Sequence, residues 1–95
     1  MRTVVELAAV MAAVDDAPPR WQQADDAWAA VTWVLAHAPS AGVPLVEGGQ
    51  FRALVYVGSR VHDMPTIYVL YEITSQEIVI CQADFRDAAA NAGSA

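Results

Sequence analysis

Apolar residues recur at helical spacing along the first part of the chain. Val4, Leu7, Ala8, Met11 and Val14 fall on one stripe of a 3.6-residue repeat, which predicts a helix over residues 3–14. Thr3 is expected to cap it, with Glu6 three residues later completing a capping box. Val5 and Val10 lie off this stripe. Asp15-Asp16-Ala17-Pro18-Pro19 stops the helix, and Pro19 suits the first position of a second one. Over residues 20–38 the positions Trp21, Ala24, Trp28, Val31 and Leu35 form a longer stripe with Trp28 at its centre. Gln22, Asp25, Asp26, Ala29 and Thr32 face away from it. Trp33 and His37 share an edge with Gln22 and Asp26. Pro39-Ser40-Ala41-Gly42 ends this helix, and Pro44 forbids its continuation.

After a loop over residues 43–50 the period changes to two. Residues 51–58 alternate, with Phe51, Ala53, Val55 and Val57 on one side and Arg52, Leu54 and Tyr56 on the other. A polar loop runs from Gly58 to Met64. Residues 66–73 form a second strand with Ile67, Val69, Tyr71 and Ile73 on one face. Thr74-Ser75-Gln76 makes a turn into a third strand over residues 77–83. That strand is apolar on both sides and is therefore expected to be covered. The short connections predict an α+β fold, an N-terminal helix pair packed on a three-stranded antiparallel sheet. A chain of 95 residues makes one domain, here residues 1–87. Residues 88–95, rich in Ala, Asn, Gly and Ser, read as a disordered tail.

Composition adds a surface argument. The chain is 56% hydrophobic and 17% charged, which is apolar for a globular protein. A domain of this size has a limited interior. Val5, Val10 and Trp33, all off their main stripes, are therefore the candidate interface residues, facing a protein partner or a second copy. The net charge is −6 and there is no lysine, which argues against nucleic acid as a partner because phosphate neutralisation requires a basic footprint. Cys81 is the single cysteine, set in an apolar strand where a thiol behaves as a small hydrophobe. One unpaired thiol suits a reducing compartment. The apolar run Val4–Val14 is too short to span a bilayer, and Glu6 interrupts a signal-peptide pattern. The expected location is cytoplasmic, with no membrane contact.

Candidate chemistry is sparse. Arg52, Arg60 and Arg86 are the cations available for a phosphate-binding patch. Arg52 and Arg86 reach one face if the outer strands flank the middle one. Surface pairing with Asp63, Asp84 or Asp87 is the simpler role, and such pairs contribute little. His37 and His62 have no second ligand at metal spacing, and the adjacency of His62 and Asp63 does not make a catalytic pair. Tyr56, Tyr68 and Tyr71 serve either base stacking or cross-strand packing, and the acidic balance favours packing. No cofactor or metal is expected.

Four segments in order resemble the RelE/ParE superfamily of bacterial toxin–antitoxin systems. They are Pro39-Ser40-Ala41-Gly42-Val43-Pro44-Leu45, then Phe51-Arg52-Ala53-Leu54, then Ile67-Tyr68-Val69-Leu70-Tyr71-Glu72-Ile73, and last Ile78-Val79-Ile80-Cys81-Gln82-Ala83. The resemblance spans roughly residues 19–86. It implies a toxin-module protein of bacterial origin, neutralised by an antitoxin. Members that cleave mRNA on the ribosome use Lys and Arg on the sheet and a Tyr, His or Arg near the C-terminus. At those positions Tyr68 stands where the family has Arg, and the last strand ends in Asp84-Phe85-Arg86. The family also opens on a strand, where residues 3–14 read as helix. The resemblance therefore implies action by protein contact, as in members that poison DNA gyrase. A dimerisation or binding domain that keeps the fold without toxicity is the alternative. Arg52 and Arg86 are the catalytic candidates only if the chain is a nuclease.

Overall fold

A computed structural model describes residues 2–89. In chain order the elements are β1 (Thr3–Glu6), α1 (Ala8–Asp16), α2 (Ala24–His37), a 3-10 turn (Pro39–Ala41), β2 (Val43–Pro44), β3 (Phe51–Tyr56), β4 (Thr66–Ile73) and β5 (Glu77–Arg86). Over the described residues the architecture is α+β, with two helices and a five-stranded mixed sheet of order β1-β5-β4-β3-β2.

The antiparallel trio β3-β4-β5 forms at the expected segments. Two further strands lie outside it. The expected helix over residues 3–14 splits: Thr3–Glu6 runs parallel to β5, with Val4 beside Ile78, and the helix starts only at Ala8. Thr3-Val4-Val5 is a β-branched run, and such side chains fit a pleated surface better than a helix. The capping box therefore does not form, and Leu7 caps α1 without a side-chain bond. At the other edge, Val43 pairs with Ala53 and Pro44 with Arg52. Pro44 is tolerated because β2 is an edge strand. The sheet is thus neither three-stranded nor antiparallel throughout.

The second helix begins four residues later than expected. Residues 18–20 and 22–23 are turns, with Arg20 N–H and Trp21 N–H both donating to Ala17 O. The 58–64 loop satisfies the backbone donors just before the helix. Gln22 N–H donates to the Asp63 carboxylate at 2.8 Å, and Gln23 N–H to the Asp63 carbonyl at 3.1 Å. Asp63 holds a left-handed backbone (φ 51°), a conformation that Asp adopts more readily than most residues. Asp25 and Asp26 in the first turn and His37 in the last suit the helix dipole.

Both helices lie on one face of the sheet. Their core partners are Ile67, Val69 and Tyr71 of β4 and Ile78, Ile80 and Phe85 of β5. Trp28 is buried, as its stripe predicts, and it shares an aromatic cluster with Trp21 and Phe85, at ring separations of 5.7 Å (Trp28–Phe85) and 6.3 Å (Trp21–Phe85). Both indoles keep a polar partner: Trp28 donates to Glu6 and Trp21 to Asp87. On β5 the inward positions switch from Ile78 and Ile80 to Ala83 and Phe85. Cys81 causes the switch. It is the extra residue of a bulge, since Tyr71 pairs with Ile80 and Leu70 with Gln82. This explains why the strand reads as apolar on both sides. Among the described residues no helix lies on the other face of the sheet, so the expected cover is not seen there. Of the expected tail, Ala88 is buried, and residues 90–95 lie outside the described residues.

Candidate functional site

The segment Pro39–Gly42 is strapped to the sheet by two side chains from the strands. Tyr71 O–H donates to Pro39 O at 2.7 Å and accepts from Gly42 N–H at 2.9 Å. The Arg52 guanidinium donates to Gly42 O at 2.7 Å and to Ser40 O at 3.3 Å. A Cβ on Gly42 would sit 2.6 Å from both Ala53 O and Tyr71 Oη, so only glycine fits there. Tyr71 is fully buried, and this burial pushes its phenol above the ordinary value, against smaller lowering contributions from the Gly42 amide and Arg52. The Pro-x-x-Gly stretch, the arginine strand and the second tyrosine of the middle strand thus form one structural joint.

That joint removes Arg52 from any phosphate-binding patch. Arg52 lies beside Tyr71 on the helix-covered face. Arg86 lies beside Thr66, five residues along β4 and on the open face. At ~3.4 Å per residue the two positions are roughly 17 Å apart along the strand, with the sheet between them. The expectation that they share a face is corrected. Arg86 pairs with Asp84 at 2.8 Å and lies over the Tyr68 ring at 5.9 Å. Arg20 lies 4.1 Å over the Trp21 ring. Arg60 is exposed and has no ion pair among the described residues.

The histidines and tyrosines also separate. His37 stacks on Trp33 at 4.2 Å, and its Nδ1 donates to Trp33 O. His62 lies exposed on the 58–64 loop, and the Asp63 carboxylate beside it is engaged with Gln22. Tyr56 and Tyr71 point to the helix side, whereas Tyr68 is 47% exposed on the open face. Among the described residues no group of three or more His, Cys, Asp and Glu could hold a metal ion. No helix among them is long and apolar enough to cross a membrane.

The three candidate interface residues have different fates. Val10 is 0% exposed, held in the chain's own core, so the interface role is corrected for it. The later start of α1 turns Val10 inward. Val5 is half-buried on β1 beside Val79. Trp33 is 63% exposed on the outer side of α2.

A run of exposed apolar side chains among the described residues lies elsewhere, on the open face of the sheet near β2 and β3. Phe51, Val55 and Val57 project there beside Val43 and Tyr68, and Val57 is 78% exposed. At its Gly58 end this face forms a groove of about 600 Å³. Val55, Val57 and Tyr68 floor the groove, and Arg60, Val61 and Arg86 rim it. Its polar signal was legible in the sequence as Arg60 and Arg86. Its apolar floor was not, because the outward side of residues 51–58 carries no mark that a helix will fail to cover it. Cys81 is half-buried, and burial, with Glu72 second, pushes its thiol up, away from the reactive thiolate.

Comparison of the chain with protein-family models, with curated proteins and with solved structures returns no match.

Proposed function

We propose that this chain is a RelE/ParE-like toxin-module protein that acts by protein contact and is neutralised by an antitoxin. The observation that carries this reading is the uncovered apolar face of the sheet beside β3. Neighbouring apolar side chains left exposed on one sheet face suit contact with another protein. The order of elements supports the family assignment. The chain opens on a strand, β1, before two helices and the antiparallel trio, and the family also opens on one. The joint between Gly42, Arg52 and Tyr71 gives a physical role to three of the residues on which the resemblance rests.

The same joint argues against ribosome-dependent mRNA cleavage. Arg52 is engaged by backbone carbonyls, Arg86 by Asp84, and the position after Asp84 is Phe85, packed against Trp21 and Trp28. A protein target such as gyrase suits this surface better than RNA does. Loss of a cationic patch also supports a second reading, a non-toxic binding or dimerisation domain on the same fold.

Induced expression in a bacterial host, with growth and mRNA integrity followed together, separates the three. Growth arrest with intact mRNA is expected. Normal growth selects the non-toxic domain. Specific mRNA cleavage that vanishes on Arg52→Ala or Arg86→Ala restores the nuclease.

A further inference from the structure

We draw no further inference here: the strongest candidate, the groove at the Gly58 end of the open sheet face with the bare edge of β3 beside it, carries none, because Asp87 lines it together with Arg60 and nothing among the described residues shows what covers it.

Discussion

Tyr71, which the alternation of its strand places on the apolar face, is buried there and also ties down a turn. Its hydroxyl bridges Pro39 O and Gly42 N–H inside the fold, and Arg52 braces the same turn from the next strand. Gly42→Ala would force its new methyl against Ala53 O and Tyr71 Oη. One contact is backbone and the other is a buried ring that has no free rotamer. The expected cost is about 1–3 kcal/mol, the range for overpacking, checked by urea denaturation with circular dichroism. An unchanged midpoint would show that the turn relaxes freely. Ionisation gives a second expectation. The Tyr71 phenol is pushed above its ordinary 10.0, so the unfolded chain releases this proton at lower pH than the folded chain does. The stability contribution is complete below that value and is lost as pH rises toward the folded value. Cys81 has the same sign from its ordinary 9.0 upward. The denaturation midpoint should therefore fall at alkaline pH. Cys81→Ala should remove the earlier part of the fall and leave the later part. A midpoint flat across the alkaline range would contradict the burial of both groups.

Elements were legible where one period dominates. The strand Thr66–Ile73 has the bounds that its alternation predicts, and α2 buries the stripe on which Trp28 was read as central. Trp28→Ala should cost about 3–5 kcal/mol, because it removes an indole packed on Phe85 and leaves Glu6 without its donor. Calorimetric unfolding checks this, and an unchanged melting temperature would mean that α2 faces the other way. The misreadings have three separate causes. Over Thr3–Glu6 a helical stripe competed with a β-branched run, and pairing along β5 decided for strand. At β2 only two residues pair, too few to give a period. In β5 the bulge at Cys81 exchanged inside for outside halfway, so two regular half-strands looked like one strand buried on both sides. The start of α2 was illegible for another reason. The group that takes the backbone donors just before it, Asp63, lies 41 residues from Gln22 in sequence and becomes a neighbour only in the fold.

At the scale of the whole molecule, the sequence indicated excess apolar surface but placed much of it on the wrong side. Helices cover one face of the sheet, and Val10 is spent in that core. Among the described residues the uncovered apolar side chains include the outward side of β3 with Val43, and Trp33 on the outer side of α2. These are different surfaces, so their contributions to association can be separated. Trp33 is already partly covered by the His37 ring stacked on it, and a single surface aromatic is ordinary. The sheet face is contiguous and borders an open edge, so it is the side expected to drive association of the free chain. Sedimentation at micromolar concentration should show oligomers that Val57→Asp shifts toward monomer. The acidic side chain would place a charge at the seam of any edge-to-edge or face-to-face contact. Trp33→Glu should leave the distribution nearly unchanged. Folding of both variants can be verified by circular dichroism, since both positions are exposed. The reverse pattern, with Trp33→Glu giving monomer and Val57→Asp having no effect, would move the contact surface to α2. A wild-type chain that stays monomeric at these concentrations would leave the open face for a different protein and exclude a second copy as its cover.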